Sequence, residues 1–417
     1  MSRIETLISE LCENGVKYVA LAELGNFYGG LTGKGKSDFV DGNCKFITYK
    51  NIYSNSALDL NICDYVKVQD NERQNAVKYG DVLFTGSSET ADECGMSSVV
   101  MQQVDERIYV NSFCFIFRFN NSDIMLPGFA KHLFRSKTIR EQIKKTASGV
   151  TRYNVSKKLM QKIKIPIPPL SVQQEIVRIL DGFSELEKEL EKELVARRKQ
   201  YEYYRNQLVS FGEGGDHACD VKWMKLGEVV KIQNGFAFKS TLFKNHGVPV
   251  LRITNIQSSG VVAENLIFVD TSDYTVNFES FKVFPGDVVV ALSGATTGKS
   301  AKNKTNLTYL LNQRVAKFIP NENMLLNSYL YHWTKSKENE FLQMAGGGAQ
   351  PNLSTEQMKI MAIPIPPIAE QERIVSILDK FDALVNDISD GLPAELKARR
   401  KQYEYWRNKL LDFKEAV

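Results

Sequence analysis

The segment SGATTGKS, at residues 293–300, comes nearest in this sequence to a nucleotide-binding motif. A phosphate-binding loop places four residues between its first glycine and its Gly-Lys-Ser/Thr end, so that backbone N–H groups surround the phosphates. Here only three residues separate Gly294 from Gly298, one too few. The sequence also contains no HExxH or GxSxG motif. We therefore expect no catalytic site in this chain.

Cysteine and histidine form no pattern typical of a metal site or a disulfide framework. The cysteines are Cys12, Cys44, Cys63, Cys94, Cys114 and Cys219, with no CxxC spacing. The four histidines are His132, His217, His246 and His332, far apart in the sequence. We expect reduced cysteines and no bound metal.

Basic residues are concentrated in two tracts. Residues 121–170 contain eleven Lys or Arg against Asp123 and Glu141, and residues 281–320 contain six against Asp287. Two separated basic surfaces suit a polyanion that is held at two points. The alternative is ordinary solvated surface, and for a single tract the two interpretations are equally good.

A long internal repeat shows which elements must position these tracts. The sequence IPIPP occurs at residues 165–169 and 363–367, 198 residues apart. It leads to ARRKQYEYYRN at residues 196–206 and to ARRKQYEYWRN at residues 398–408, 202 residues apart. A repeat of this length indicates two copies of one structural unit, the second with four extra residues.

The segment after each Pro-Pro pair predicts a long amphipathic helix. Apolar residues recur every three or four positions with charged residues between them, over 41 residues from Ser171 to Phe211 in the first copy. Such a helix is about 60 Å long. Gly391 and Pro393 interrupt the second copy, where we expect a kink or a break and restart. A single helix of this kind would suit a helical bundle, but two copies favour an antiparallel coiled coil with a globular unit at each end.

Each globular unit reads as a small mixed α/β domain. Both contain a glycine-containing loop, a Gly-Asp turn that leads into an apolar strand, and a loop of small polar residues. A helix is predicted over roughly residues 128–145 and 327–344, and Asn154 and Asn352 are predicted to cap the helices that follow them. The fold class is α+β with a pseudo-two-fold repeat.

Composition agrees with a multidomain globular protein. The chain has 417 residues, of which 43% are apolar and 24% charged. The sequence shows no run of about 18 apolar residues and no signal peptide, so we expect a cytoplasmic protein that does not contact membranes.

The paired IPIPP helices and their ARRKQYEY tails resemble the specificity (S) subunit of type I restriction-modification systems, over essentially the whole chain. The resemblance implies two target recognition domains, at residues 1–165 and 213–363. The spacer helices would then occupy residues 166–212 and 364–417. It also implies that each domain reads one half of a bipartite double-stranded DNA target.

The resemblance further implies partners and cofactors. Two modification subunits would dock on the helices and methylate adenine with S-adenosylmethionine, and restriction subunits would use ATP and Mg for translocation and cleavage. The S subunit itself would be non-catalytic and hold no cofactor.

Candidate contact residues follow from the chemistry of base and phosphate recognition. The DNA-binding candidates are Ser87, Ser88, Thr90, Asn111, Lys144, Lys145, Arg152, Tyr153, Thr296, Thr297, Lys299, Lys302, Lys304, Asn312, Gln313, Arg314 and Gln350. Of these, Lys144, Lys145, Lys302 and Lys304 are expected to contact phosphates. The partner-binding candidates are Arg197, Arg198, Tyr204, Arg399, Arg400 and Trp406. The alternative function is a coiled-coil adaptor whose two domains bind ligands other than DNA.

Overall fold

The computed structural model describes residues 6, 8, 10–211, 220–346, 351–387 and 390–416. The chain divides into two compact units. Unit 1 contains residues 1–188 together with 398–417, and unit 2 contains residues 189–397. Each unit therefore combines one globular domain with helical segments from both copies of the repeat.

Unit 1 is a mixed α/β domain. Its strands are β1 (Tyr18–Ala20), β2 (Gly25–Gly29), β3 (Cys44–Ile47), β4 (Cys63–Val66), β5 (Val82–Thr85), β6 (Ser87–Ser88), β7 (Ser97–Val99), β8 (Ile108–Val110), β9 (Cys114–Phe119), β10 (Ala147–Ser148), β11 (Tyr153–Val155) and β12 (Lys164–Pro166). Its helices are α1 (Leu21–Leu24), α2 (Tyr49–Ser54), α3 (Pro127–Leu133), α4 (Lys137–Lys144), α5 (Lys157–Met160) and the first part of α6 (Leu170–Ser210).

Unit 2 has a similar but not identical element order. Its strands are β13 (Lys222–Lys225), β14 (Val230–Asn234), β15 (Val248–Leu251), β16 (Ile256–Gln257), β17 (Gly260–Val261), β18 (Ile267–Val269), β19 (Lys282–Val283), β20 (Val288–Ala291), β21 (Ser300–Lys302), β22 (Tyr309–Leu311), β23 (Val315–Pro320) and β24 (Ala362–Ile365). Its helices are α7 (Leu226–Val229), α8 (Asn327–Ser336), α9 (Glu338–Met344), α10 (Thr355–Lys359), α11 (Ile368–Asn386) and the start of α12 (Leu392–Leu410).

The main sheets of the two units share a common topology, although among the described strands unit 1 adds the sheet β10-β11-β6 and unit 2 adds β19 beside β22 and the hairpin β16-β17. The four-stranded antiparallel sheet β2-β9-β5-β7 of unit 1 corresponds to β14-β23-β20-β21 of unit 2. A second sheet joins β3 antiparallel to β4 and parallel to β8, and β15 makes the same two pairings with β18 and β22. The predicted mixed α/β domains and their internal repeat are confirmed.

The central strands β5 and β20 are buried along their whole length because both faces of each are covered. A tight turn precedes each strand. Gly80 and Gly286 adopt φ values of 82° and 94° there, which side chains disfavour. Asp81 and Asp287 close these turns by accepting hydrogen bonds from the backbone N–H groups three residues earlier, at 2.7 and 2.8 Å.

A buried glutamine fixes the start of each long helix. The Gln173 amide accepts a hydrogen bond from the Leu126 N–H at 2.9 Å and donates to the carbonyls of Ile124 and Pro168, both at 2.9 Å. Gln371 makes the same three contacts in unit 2. Each helix is therefore joined at its first turn both to the Pro-Pro segment and to the globular domain.

The helices pack in antiparallel pairs within each unit. In unit 1, Arg400 of α12 contacts Glu187 of α6 at 2.6 Å, and Tyr403, three residues later, interacts with Ser184, three residues earlier. In unit 2 the Tyr201 ring of α6 stacks on Phe381 of α11. The expected break in the second copy is confirmed, because α11 ends at Asn386 and α12 begins at Leu392.

Candidate functional site

A cavity of about 700 Å³ lies on unit 1 where five segments converge. Helix α2, strand β6, the β6–β7 loop, the β8–β9 turn and the loop before β11 form its wall. The lining residues are Tyr49, Tyr53, Ser87, Ser88, Glu89, Glu93, Asn111, Phe113, Thr151 and Arg152. Four of the sequence-predicted residues, Ser87, Ser88, Asn111 and Arg152, are therefore neighbours in space although they span 66 residues of sequence.

Strand pairing brings the arginine to this cavity. β11 pairs antiparallel with β6, so that Asn154 lies opposite Ser87. The Arg152 guanidinium donates from Nε and Nη2 to the Ser87 Oγ, at 3.3 and 3.1 Å. It also lies 4.9 Å from the centre of the Phe113 ring, which is 55% exposed. The guanidinium is thus held on one edge and one face while remaining open to solvent.

The opposite wall is a hydrogen-bonded group of tyrosine, serine and glutamate. Tyr53 Oη donates to Glu93 Oε1 at 2.9 Å, and Ser88 Oγ donates to Glu93 Oε2 at 3.1 Å. The bond from Tyr53, followed by those from Ser88 and Thr90, holds the pKa of Glu93 below its ordinary value. The same bond raises the pKa of Tyr53. Glu93 is therefore a carboxylate at neutral pH, and both of its oxygens already accept hydrogen bonds.

The other predicted residues of unit 1 lie around this cavity or apart from it. Thr90 is exposed and bonds to Glu93, and Tyr153 is half-buried in β11. Lys144 forms an exposed ion pair with Asp92, and Lys145 is exposed at the end of α4. A phosphate contact for these two lysines stays a prediction.

Unit 2 has an equivalent turn between β22 and β23. Asn312 Oδ1 accepts the Arg314 N–H at 3.2 Å, just as Asn111 Oδ1 accepts the Phe113 N–H at 2.9 Å. The residue at the phenylalanine position is therefore Arg314. It is exposed, and so is Gln313. The turn is thus the same in both units, while its outward side chains differ in chemistry.

Several predicted residues of unit 2 have hydrogen-bond or ion-pair partners within the unit. Thr296 Oγ1 donates to the Ile253 carbonyl at 3.1 Å, and the buried Thr297 donates to the Gly294 carbonyl at 2.6 Å. Lys302 Nζ donates to Ser328 at 2.9 Å, and Lys304 is paired with Asp382 of α11. Lys299 is half-buried, and Gln350 lies outside the described residues.

A histidine, an aspartate and a tyrosine join each globular domain to its helices. In unit 1 the His132 ring contacts Asp181 at 2.7 Å through Nε2 and Tyr403 at 3.0 Å through Nδ1. In unit 2, His332 makes the same contacts with Asp379 at 2.8 Å and Tyr201 at 3.2 Å. The tyrosine of each set comes from the other copy of the repeat.

Burial lowers the pKa of His132, which favours the neutral imidazole. Burial also raises the pKa of Asp181, but the hydrogen bonds from His132 and Lys131 outweigh it and leave this pKa below its ordinary value. A neutral ring can donate from Nε2 to the carboxylate and accept the tyrosine hydroxyl at Nδ1. These residues therefore form a structural junction.

The partner-binding candidates lie on the helix tails. Arg197 contacts Glu193 and Gln200, and Arg399 contacts Gln402, all within their own helices. Arg198 lines a polar cavity in unit 2, and Arg400 is paired with Glu187. Tyr204 stacks on Phe381 with ring centres 5.7 Å apart, and Trp406 packs against the unit 1 core.

The tyrosines next to these two aromatic residues are more exposed. Tyr203 is 61% exposed and Tyr405 is 59% exposed, and they occupy equivalent positions in the two copies. The predicted residues Tyr204 and Trp406 are the members of the two pairs that pack inward, against Phe381 and the unit 1 core.

Comparison with known families gives two matches along this chain. The profile of the family described as "Type I restriction modification DNA specificity domain" matches residues 13–196 and 219–398. The chain belongs to this family. Its two matched segments coincide with the two copies of the repeat, and together they cover most of the sequence.

Curated relatives are specificity subunits. The chain is 37% identical over 278 residues to the Type I restriction enzyme EcoR124I/EcoR124II specificity subunit of Escherichia coli. That match covers 62% of this chain and 65% of the relative. It is 35% identical over 276 residues to a putative type I restriction enzyme specificity subunit of Haemophilus influenzae, covering 64% of this chain and 68% of the relative. The chain thus spans about two thirds of the length of these relatives.

Solved structures share the fold. The S subunit of a type I system from M. genitalium aligns over 95% of this chain and 96% of its own, with a TM-score of 0.52 and 14% identity. A chain from a study of the assembly and conformational transition of the type I R-M system covers 95% of this chain and 97% of its own, with a TM-score of 0.62 and 18% identity. The predicted fold class is confirmed.

The chain belongs to a family of specificity subunits, which are non-catalytic components of restriction-modification complexes. No helix within the described ranges is long and apolar enough to span a membrane. The described residues also contain no cluster of three or more His, Cys, Asp or Glu arranged to hold a metal ion.

Proposed function

We propose that this chain is the DNA sequence-recognition subunit of a type I restriction-modification complex, and that each unit reads one half of a bipartite duplex target. Two modification subunits dock on the helix tails, and restriction subunits join the full complex. The S-adenosylmethionine site belongs to the modification subunit, and the ATP and Mg sites belong to the restriction subunit.

The observation that carries this proposal is the double family match on two structurally equivalent units. A DNA-specificity domain that occurs twice in one chain suits a target that consists of two separated half-sites. The turns at Asn111 and Asn312 have the same backbone but different outward residues, Phe113 and Arg314. Equivalent scaffolds with different side chains are what two different half-site sequences require.

The basic tracts supply attraction to phosphates that does not depend on sequence. Unit 1 has eleven Lys or Arg over residues 121–170. Seven of its lysine side chains are exposed, namely Lys137, Lys144, Lys145, Lys157, Lys158, Lys162 and Lys164, whereas Arg135 uses its guanidinium to bond four backbone carbonyls. Exposed lysines can release counterions on binding DNA, and a buried arginine of this kind cannot.

Docking of the modification subunits is proposed on the basis of the duplicated tails. Tyr203 and Tyr405 present exposed aromatic rings at equivalent helical positions, each beside a second ring 5.4–5.5 Å away. Exposed aromatic residues are favoured anchors in protein interfaces. Because the two patches have the same chemistry, they suit two copies of one partner.

Methylome sequencing tests the proposal most directly. Cells that carry this chain with its cognate modification subunit should gain methylated adenines within one bipartite motif, and cells without this chain should not. Methylation that is independent of this chain would refute the recognition role.

A binding titration separates the DNA reader from an adaptor with other ligands. The assembled complex should bind duplexes that carry the motif more tightly than scrambled duplexes, and its affinity should fall steeply as salt rises. An adaptor whose domains bind other ligands would show neither effect.

Replacement of one domain tests whether the units read independently. Strand β11 completes the cavity of unit 1, so the exchanged segment should run from residue 16 to residue 160. The replacement should change one half of the methylated motif only. A change in both halves would contradict independent reading.

A further inference from the structure

We propose that Arg152 reads a guanine in the half-site bound by unit 1, through the Nη1–Nη2 edge of its guanidinium, and that Phe113 positions it. This inference rests on the proposed function and adds to it the base that is recognised and the atoms that recognise it.

The contacts of Arg152 leave one edge of the guanidinium available. An arginine has five N–H donors arranged on two edges, Nε–Nη2 and Nη1–Nη2. The first edge donates to the Ser87 Oγ. No other hydrogen-bond acceptor contacts this guanidinium within the described residues, so the donors of the second edge face solvent. Two parallel donors match the N7 and O6 acceptors of guanine in the major groove.

Phe113 limits the orientations of that edge. Its ring lies 4.9 Å from the guanidinium carbon, and its backbone is fixed by a hydrogen bond from the Phe113 N–H to Asn111 Oδ1 and one from the Gly86 N–H to the Phe113 carbonyl. The ring attracts the cation to its face, and the two bonds to the Ser87 Oγ hold one edge of the guanidinium. The fork is therefore largely ordered before DNA binds, which lowers the entropic cost of recognition.

The charge of the cavity favours a base over a phosphate. Besides Arg152, its only charged lining residues among those described are Glu89 and Glu93, so the formal charge of the lining is negative. Two carboxylates repel a phosphate group but not the neutral edge of a base. Adenine offers one acceptor and one donor on its major-groove edge and cannot accept both donors of the fork, whereas guanine can.

The test uses the assembled complex and the duplex motif defined by methylome sequencing. Each guanine of the unit 1 half-site is replaced in turn by 7-deazaguanine, which lacks the N7 acceptor. With the wild-type chain, one such replacement should weaken binding by roughly 10- to 150-fold, the range for one lost hydrogen bond to a charged group, since O6 is still present. With Arg152→Ala, the same replacement should change affinity less than about twofold, because its partner is already gone.

Further variants distinguish base reading from other roles. Arg152→Lys keeps the charge but loses the planar fork, so it should reduce the N7 sensitivity while keeping the salt dependence of binding. Phe113→Leu should reduce the N7 sensitivity without changing affinity for scrambled duplexes. Arg73→Ala, at an exposed arginine of unit 1 outside the cavity, is the matched control and should leave the N7 sensitivity intact.

Two results would overturn the inference while the proposed function stands. One is a wild-type complex that binds its motif with no sensitive guanine in this half-site. The other is an Arg152→Ala complex whose affinity falls by the same factor for every duplex and depends less steeply on salt. That result is the signature of a phosphate contact. A wild-type complex that binds no duplex preferentially would instead refute the proposed function. Unchanged sensitivity in the other half-site confirms that each variant is folded.

Discussion

At the residue scale, the buried His132 joins three segments of unit 1 that are distant in sequence. The charged groups around the ring are Lys131, Asp181 and Arg407. Burial dominates and lowers the pKa of the imidazole, so the fold favours the neutral ring. In the unfolded chain the same group titrates at about 6.5.

This shift predicts a loss of stability in mild acid. Below about pH 6.5 the unfolded chain binds a proton that the folded chain resists, so this contribution to stability is complete above that pH and declines as the pH falls towards the folded-state pKa. The lowered pKa of Asp181 adds a contribution that is lost only in stronger acid. Urea unfolding at about pH 7.5 and about pH 5.5 measures the effect.

Two variants isolate the contribution of His132. His132→Gln should be less stable than wild type at the higher pH and should depend less on pH. His246→Gln, at an exposed position in unit 2, should follow the wild-type profile. An unchanged pH dependence in His132→Gln would assign the effect to other groups.

Four residues that the sequence predicts as DNA contacts lie together in the cavity, and their role in DNA binding stays a prediction. Ser87, Ser88, Asn111 and Arg152 were selected because small polar and basic side chains in loops suit base recognition, and they do meet. Phe113 and Glu93 were missed because their roles depend on contacts with Arg152, Tyr53 and Ser88 that become visible only when distant segments pair. The i,i+4 spacing of Tyr49 and Tyr53 is the one local sequence pattern that indicates this wall of the cavity.

Local capping rules failed at both predicted positions. Asn352 forms a β-bridge with Ser293, and Ser354 is the N-cap residue of α10. Asn154 was predicted to cap the next helix, but it lies in β11 opposite Ser87, and Ser156 accepts the capping hydrogen bond from the Leu159 N–H. Because β11 pairs with β6, the backbone stays extended through Val155. The N-cap of the helix therefore lies two residues after Asn154, at Ser156.

At the element scale, the Gln173 side chain is the point at which α6 joins its domain. It is completely buried, and its three hydrogen bonds engage the Leu126 N–H and the carbonyls of Ile124 and Pro168. Gln173→Ala should lower the free energy of unfolding by about 1–3 kcal/mol. Gln174→Ala, at the exposed neighbouring position, should change it by less than about 0.5 kcal/mol. Denaturant titration of both variants checks this, and equal effects would contradict it.

The exposed tyrosines of the helix tails lead to a second prediction at this scale. Tyr203→Ala and Tyr405→Ala should each weaken binding of the modification subunit by roughly 5- to 30-fold, as expected for an aromatic interface anchor, without changing the unfolding midpoint. Titration calorimetry with that subunit measures the loss. Tyr65→Ala, at a tyrosine of β4 that is 54% exposed, is the control and should bind normally. Full affinity in both tail variants would remove the tails from the interface.

One helix prediction was too simple. The segments 128–145 and 327–344 were each read as one helix, whereas the structure has α3 and α4 in one unit and α8 and α9 in the other. The extended backbone of Ser136, with ψ of 153°, separates α3 from α4, and its hydroxyl donates to the Leu133 carbonyl. The serine side chain competes with the helix for backbone hydrogen bonds and so favours a break. The helical spacing of apolar residues continues across the break, so the sequence does not reveal it.

At the scale of the whole molecule, each unit depends on both copies of the repeat. Tyr403 completes the junction of unit 1 and Tyr201 completes that of unit 2, so neither contiguous half of the sequence contains all the residues of its own unit. The repeat is evident from the sequence. The exchange of tyrosines between the copies is not, because a helix tail can pack equally well against the domain of its own copy or against that of the other copy.

Helix α6 begins in unit 1 and ends in unit 2, and this continuity leads to a prediction about the DNA target. If the helices set the gap between half-sites, four residues inserted after Lys192 add about 6 Å, slightly more than one helical turn. Since a base-pair step is about 3.4 Å, the unspecified spacer should lengthen by one or two base pairs. Four residues rotate the helix by about 400°, so its apolar face is kept.

Methylome sequencing of the insertion variant measures the spacer directly, and both half-site sequences should be unchanged. The same four residues inserted after Asp70, at an exposed turn of unit 1, are the control and should leave the spacer at its original length.

A two-residue insertion after Lys192 rotates the helix by about 200° and should prevent assembly, because it moves the apolar seam away from α11. The second copy already carries four extra residues around the break between α11 and α12, so an added turn has a place to be absorbed. An active four-residue variant with an unchanged spacer would show that the break absorbs the turn and that the helices serve as a docking platform without setting the gap.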